Sequence, residues 1–543
     1  MSPEPSSGNQ SPGPATRQPT RVSGVRLLLS TSVVSGMTLL SRILGLVRDI
    51  VFARFFGATV VMDAFIVANR IPNMLRRFFA EGAFSQGFVP VMARYRENRD
   101  HGDAREFVDA VAGTLGLLLF GITLLGVIVA PLLVLMVAPG FVGEDGRFDL
   151  ATAMLRFTFP YLFFVSLTAL AAGILNTYGR FAAPAFTPVI LNVVLIACAL
   201  WLAPQLDEPG MALAYGVFLA GAIQLLFQVP FLAKIHALPR PSWNPGHSGV
   251  RRVGKLMLPA IFGSSVAQIN VLVGGIIASL LGVGKISYLY FSDRLMEFPL
   301  GLFGIALATV MLPTLSKQAA NQDLEHFSQT IDWSMKLVAL VAVPAAIGLI
   351  LLAAPLLVTL FYGGIFSRLD VEMAAISLQA FALGLVGFSF VKILAPAFFA
   401  LEDTRTPVKY GLVALGVNFT LSVLLAWYLT VAGYVASHAG LALATSVAAV
   451  VNAWLLYRGL RGRQLLSHAP GWGWLLLRIL IANAAMIAVL VWLQRPLDWW
   501  LDASLLARAL QLTAAIVAAA IAYLVALAVA GLRLSQLRLS DRQ

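Results

Sequence analysis

Residues 41–90 read SRILGLVRDIVFARFFGATVVMDAFIVANRIPNMLRRFFAEGAFSQGFVP. The segments around them are apolar enough to be membrane helices, yet this stretch carries Arg42, Arg48, Asp49, Arg54, Asp63, Arg70, Arg76, Arg77 and Glu81. An ionised side chain at bilayer depth costs roughly 2.5–3.5 kcal/mol on insertion scales, so such groups face a protein interior or a water-filled cavity. Charge of this density in an apolar setting marks a polar cavity inside a membrane bundle.

Working outward, the whole chain fits that setting. Of 543 residues 59% are hydrophobic and only 12% charged, and the mean hydropathy is +0.84, far from a soluble domain with about 25% charged residues. Fourteen apolar segments fall at about 27–56, 60–91, 108–138, 151–175, 183–203, 211–233, 253–281, 286–315, 334–361, 372–400, 407–432, 436–457, 474–494 and 504–532. Each is long enough to cross roughly 30 Å of hydrocarbon at about 1.5 Å per residue. The expected fold is an all-α polytopic membrane protein of about fourteen spans, with no large soluble domain. Residues 1–26, rich in Pro, Ser, Gly and Gln, read as a disordered tail with no removable signal peptide.

The formal charge of +12 does not point to nucleic acid. The basic residues cluster in short loops, where they set topology. Alternate loops hold 22 Lys and Arg on one side, from Arg17 through Arg94, Lys234 and Arg405 to Arg542, against 4 on the other (Arg147, Lys285, Arg368, Arg495). Both termini are therefore expected in the cytoplasm. Cys198 stands alone, which excludes an internal disulfide and a cysteine metal cluster.

A weak internal repeat pairs GFVPVMARY with ATVMLPTLSK, Pro90 with Pro313, at an offset of 223. It divides the chain into an N-lobe of six helices (27–233), a cytoplasmic linker (234–255), a parallel C-lobe of six (256–460), a final helix pair (470–532) and a cytoplasmic tail (533–543). In such repeats the substrate site lies between the halves.

Helical periodicity sorts the charges onto faces. Ser35, Thr38, Arg42, Gly45 and Asp49 share a stripe of the first segment, with Arg48 flanking it. Asp63, Arg70 and Arg77 recur every seven residues on the second, with Asn73 on the same face, Arg76 beside Arg77, Glu81 one turn on, and Pro72 expected to interrupt the helix. Ser287, Tyr290, Arg294 and Glu297 line the eighth, with Asp293 adjacent. A single membrane arginine is as commonly a structural ion pair or a snorkelling side chain. Aligned faces from both halves, with arginines in excess, call instead for an anion, and the planar guanidinium fork suits phosphate. Lys392 either extends the cavity or snorkels, and His438 reads as structural. No HExxH, GxSxG or DxD motif, and no loop equipped for covalent chemistry, suggests an enzyme. An integral-membrane transferase and a wall-assembly scaffold are the weaker readings from other classes.

The stretches SRILGLVRD, DAFIVANRIPNMLRRFFAEGAFSQGFVPV, LNTYGRFAAPAFTPVILN, YFSDRLMEFPLGLFGIAL, LPTLSK, LAPAFFALEDTRTPVK and HAGLALA together resemble the MurJ/MviN lipid II flippases of the MOP exporter superfamily. The resemblance covers about 27–532. It implies two six-helix lobes around a central cationic cavity, with the last pair forming a groove for a polyprenyl tail. It also implies that the chain moves lipid II, the undecaprenyl-pyrophosphate disaccharide pentapeptide, from the cytoplasmic to the periplasmic leaflet of the bacterial inner membrane for peptidoglycan synthesis. Family cavity arginines map onto Arg42, Arg48 and Arg294, and polar partners onto Asp63, Asn73, Arg76, Arg77, Glu81, Ser287, Asp293 and Glu297. No cofactor is implied. Some members resemble sodium-coupled exporters with an acidic residue in the eleventh helix, but 407–432 and 436–457 contain no Asp or Glu, which argues against sodium and leaves the membrane potential as the expected drive. The expected partners are lipid II and membrane lipids, with the chain a monomer near the wall-synthesis machinery. The rival readings are an exporter of another polyprenyl-linked oligosaccharide and a MOP-type drug antiporter.

Overall fold

The structure, a computed structural model, describes residues 24–79, 83–98, 101–143, 145–466 and 471–532. The first half comprises α1 (Gly24–Phe56), α2 (Val60–Phe79), α3 (Ala83–Asn98), α4 (His101–Ile128), α5 (Ala130–Val137), α6 (Arg147–Thr158), α7 (Tyr161–Thr177), α8 (Ala182–Ala197) and α9 (Met211–Lys234). The second comprises α10 (Ser248–Ser279), α11 (Lys285–Ala320), α12 (Leu324–Leu351), α13 (Ala353–Leu360), α14 (Arg368–Ala382), α15 (Leu385–Ala400), α16 (Arg405–Val431) and α17 (Ala439–Gly462). The chain closes with α18 (Trp472–Leu493), α19 (Leu497–Asp502) and α20 (Leu505–Val529). Among the described residues the only β-type pairing is an isolated bridge between Gly363 and Phe366.

Every apolar segment falls on one helix or a broken pair. Among the described residues nine helices are long and apolar enough to cross a membrane, ten if α14 and α15, bent by 42°, form one span. The four segments outside that set are α1, α2 with α3, α10 and α11, three of which carry the charged faces. Exposed tryptophans gather near the two ends of the bundle, with Trp201, Trp427 and Trp492 at one and Trp243, Trp454 and Trp474 at the other, as belts at the two membrane interfaces do.

Two expectations change. The expected linker 234–255 is shorter, because α10 already starts at Ser248, where the His247 ring accepts the Gly249 N–H at 3.2 Å. Pro72 does not interrupt α2, which continues to Phe79. A proline removes the N–H that would bond the carbonyl four residues back. That carbonyl, Ala68, is instead satisfied by the buried Thr158 hydroxyl of α6 at 3.0 Å. The same device recurs at Pro344 of α12: the Leu340 carbonyl accepts the Tyr523 hydroxyl of α20 at 2.7 Å, tying the last helix to the second half.

The 223-residue offset reappears in three dimensions. The short helices α5 and α13 are eight residues each, with bounds 223 apart. Thr177 and Ala400, which end α7 and α15, and Ala182 and Arg405, which begin α8 and α16, keep the same spacing. The helix packing departs from this symmetry at one seam. α10 packs along α3, with Val253 and Met257 pressed against Gly87, although α10 belongs to the second half. Its repeat counterpart α1 barely touches the matching stretch of α11, and a cavity fills that gap.

Candidate functional site

The cavity measures about 1560 Å³. At its head, α1 contributes Ser41, Arg42, Arg48 and Asp49, α2 contributes Arg76, α11 contributes Arg294 and Glu297, and α15 contributes Lys392. Five cations thus face two carboxylates. From there it runs without a break along an apolar wall made by Leu337, Leu340 and Val341 of α12, Leu356 and Leu360 of α13, and Leu490, Ile516, Leu524 and Leu527 of α18 and α20.

Asp49, 3% exposed, is the centre of the head. Its Oδ1 accepts Arg48 Nε at 3.1 Å and Nη2 at 2.8 Å, and the Tyr290 hydroxyl at 2.9 Å. Its Oδ2 lies 3.8 Å from Arg294 Nε. Arg48 also donates through Nη1 to Asn192 Oδ1 of α8 at 3.0 Å. Arg294 pairs with Glu297 at 3.0 Å and lies over the Tyr290 ring at 5.0 Å. Its side chain is 40% exposed against 16% for Arg48. Among the described residues Arg42 and Lys392 have no carboxylate within salt-bridge reach, so the unneutralised charge sits at the open end of the head. Arg42 rests on Gly301, where a Cβ would stand 2.0 Å from its Nη1.

Of the expected site residues, Arg42, Arg48, Arg76, Arg294 and Glu297 come together. Asp63 and Ser287 do not join them. Both are fully buried and bond each other, Ser287 Oγ to Asp63 Oδ1 at 2.6 Å, while Asp63 also accepts the Gly284 and Ser287 N–H groups at 2.6 and 2.9 Å. The first turn of α11 has unpaired N–H groups, and this carboxylate from α2 caps them. Asn73 turns to its own helix, bonding the Asn69 carbonyl at 2.9 Å. Arg77 bonds Gln268 of α10 at 3.2 Å, and half-buried Asp293 does not line the cavity. Glu81 lies outside the described residues. Lys392 extends the cavity, and His438 is buried with Nε2 3.1 Å from the Met373 carbonyl.

Sequence reasoning placed Asp49 and Tyr290 on the right stripes but left them out of the site, and it missed Asn192. The available signal for Asn192 was a lone amide in the apolar run 183–203. A polar cluster also sits on the eleventh span, which carries no carboxylate for sodium: Asn418 of α16 donates to Asn270 Oδ1 at 2.5 Å, and its own Oδ1 receives the Ser422 and Thr445 hydroxyls at 3.3 and 3.4 Å.

A helical bundle whose charged cavity opens between two repeated halves defines a multi-pass membrane transporter. The family model for the lipid II flippase MurJ matches residues 52–511. A protein of Vibrio cholerae described as a probable lipid II flippase MurJ is 45% identical over 94% of this chain and 98% of its own. The lipid II flippase MurJ of Burkholderia cenocepacia is 42% identical over 88% and 92%. A solved lipid II flippase MurJ in an inward closed conformation superposes with a TM-score of 0.74, at 25% identity over 91% of this chain and 98% of that one. An inward-facing multidrug transporter of the MOP superfamily shares the fold at a TM-score of 0.64 and 16% identity, over 78% of this chain and 95% of its own. The chain belongs to the lipid II flippase MurJ family.

Proposed function

We propose that this chain carries lipid II from the cytoplasmic to the periplasmic leaflet of the bacterial inner membrane by alternating access. The observation that carries this reading is the single cavity that joins an excess of cations to an apolar wall. That geometry suits an anionic head on a long hydrocarbon tail. A hydrophilic drug would not use the apolar wall, and a cationic one would meet five positive side chains.

Arg42 and Lys392, at the open end, meet the pyrophosphate first. Arg294 and Arg48 receive it deeper, where Asp49 now holds them. Bidentate guanidinium contacts with phosphate oxygens are charge-assisted and strong. The polyprenyl tail lies along α12, α13 and α20, so only the head need enter the protein. The halves then rock, and the far end, closed by the Asp63 cap and by the Ile365 N–H bonding the Arg54 carbonyl at 2.9 Å, opens. No covalent bond is made. The excess of Lys and Arg in alternate loops supports a periplasmic position for that closed end and cytoplasmic termini.

Sodium plays no part in this reading. The segments 407–432 and 436–457 supply no Asp or Glu to neutralise such an ion, and the Asn418 amide is engaged with Asn270. The membrane potential, about 2.3 kcal/mol per charge per 100 mV, supplies the drive.

The test is Arg294→Ala in cells depleted of their own lipid II flippase. Loss of a charged hydrogen-bond donor is worth about 1.5–3 kcal/mol, so translocation, read from the leaflet distribution of lipid II, is expected to fall about tenfold or more at normal protein level. Undiminished translocation overturns the assignment.

A further inference from the structure

We propose that Asn192 is a positioning residue for the pyrophosphate head, acting through Arg48; this rests on the reading of the cavity given above. Asn192 sits on α8, a helix with no ionisable side chain, and is 6% exposed. Its Nδ2 donates to the Ser41 carbonyl at 3.0 Å, and its Oδ1 accepts Arg48 Nη1 at 3.0 Å. Ser41 and Arg48 are two turns apart on one face of α1, and both line the cavity. The amide is therefore a bracket. Its donor is pinned to main chain, whose position is set by the helix, and this fixes its acceptor in space.

The guanidinium is then held from two edges, by Asp49 on Nε and Nη2 and by Asn192 on Nη1. Among the described residues the second Nη1 hydrogen has no partner, which leaves it for a ligand. The choice of an amide has a reason. Asp49 already neutralises Arg48, and a second carboxylate would turn this part of the cavity against an anion. A neutral oxygen orients the cation without cancelling it.

The repeat supplies an internal control. Asn418, on the helix that matches α8, reaches Asn270 on α10, the helix that matches α1. An asparagine hydrogen bond between these two helices thus recurs, but its second copy ends on the Asn270 side chain and, among the described residues, touches no cation. A purely architectural role for both asparagines would make their substitutions equivalent.

The experiment uses the full-length protein in lipid nanodiscs. Inorganic pyrophosphate competes with lipid II for binding to wild type, Asn192→Ala, Arg48→Ala, the double variant and Asn418→Ala, with thermal stability measured alongside. Asn192→Ala is expected to weaken pyrophosphate competition about tenfold and to add nothing to Arg48→Ala, since the two act as one unit. Asn418→Ala is expected to lower stability comparably and leave competition unchanged. Additive losses, an unchanged Asn192→Ala, or an equal loss in Asn418→Ala overturn the proposal. If Arg48→Ala itself leaves competition unchanged, the reading of the cavity fails with it; if only Asn192→Ala is silent, the cavity stands and this inference falls. Should Asn192→Ala not accumulate, Asn192→Asp keeps the size and the acceptor. It is expected to compete more weakly than wild type because of the added charge, and equal competition overturns the proposal.

Discussion

An arginine in a membrane interior needs its donors occupied, and the cavity cations meet this need in different ways. Arg48 is held by Asp49 and Asn192. Arg294 shares Asp49 and keeps Glu297. Arg42 points its Nη1 edge at Gly301, which admits it only because no Cβ is there. Gly301→Leu is therefore expected to displace the Arg42 guanidinium and to lower lipid II affinity about as much as Arg42→Ala does, about tenfold for a charged contact. In an Arg42→Ala background the same substitution is expected to cost no further affinity. A loss that persists there would show that Gly301 acts by some other route. At this scale residue type and helical stripe were readable, because a charge in an apolar run stands out. The pairing was not, because Asn192 and Arg48 are 144 residues apart and each is unremarkable alone.

Helices tolerate proline here because neighbours replace the missing hydrogen bond. Thr158→Val removes the hydroxyl that satisfies the Ala68 carbonyl and is expected to cost about 1–3 kcal/mol of stability, the penalty for an orphaned buried acceptor. Pro72→Ala restores the N–H of the helix, so Thr158→Val in that background is expected to cost clearly less; thermal unfolding of the four variants measures the difference, and equal costs would refute the pairing. The sequence suggested a break at Pro72 because proline chemistry is local, while the hydroxyl that repairs it arrives from α6.

On α12, Gly348 faces the cavity with nothing within 4 Å of where a Cβ would stand, so helix packing does not explain it. Gly348→Leu is expected to leave stability unchanged or slightly raised, since leucine favours a helix over glycine by about 0.5–1 kcal/mol. It fills the tail path and is expected to cut translocation about tenfold, the equivalent of roughly 1.4 kcal/mol of displaced apolar contact. Normal translocation by this variant would place the tail elsewhere.

For the whole molecule, the decisive feature is that two similar halves pack unequally. At one end they are joined by Asp63 capping α11 and by the Ile365 N–H bonding the Arg54 carbonyl at the end of α1. Gly284 makes this possible, with φ +80 and no Cβ to strike the Ala58 carbonyl. Asp63→Ala orphans two N–H groups and is expected to loosen this end. A cysteine at Ala58, measured against the buried Cys198, should then react faster with a membrane-impermeant maleimide. Unchanged labelling would remove Asp63 from the closure. Asp63 and Ser287 had been expected in the cavity because their stripes match those of the arginines, but a helix face has a height as well as a direction. Near the ends of α2 and α11 that face meets a neighbouring helix rather than open space.

By itself the sequence determined the helical class, the positions of the segments, the 223-residue repeat, the cationic faces and the family. The class, the segments and the faces depend on composition or on short periodicities that any stretch carries within itself, whereas the repeat and the family rest on motifs matched one against another. Only the tertiary structure decided which charges neutralise one another, that α10 seals against α3 while α1 stands off from the matching later stretch of α11, and that residues 41–49 open onto an apolar wall supplied by α12, α13 and α20. These depend on packing between helices far apart in the chain, where one repeat can close and its twin stay open without any change in local pattern.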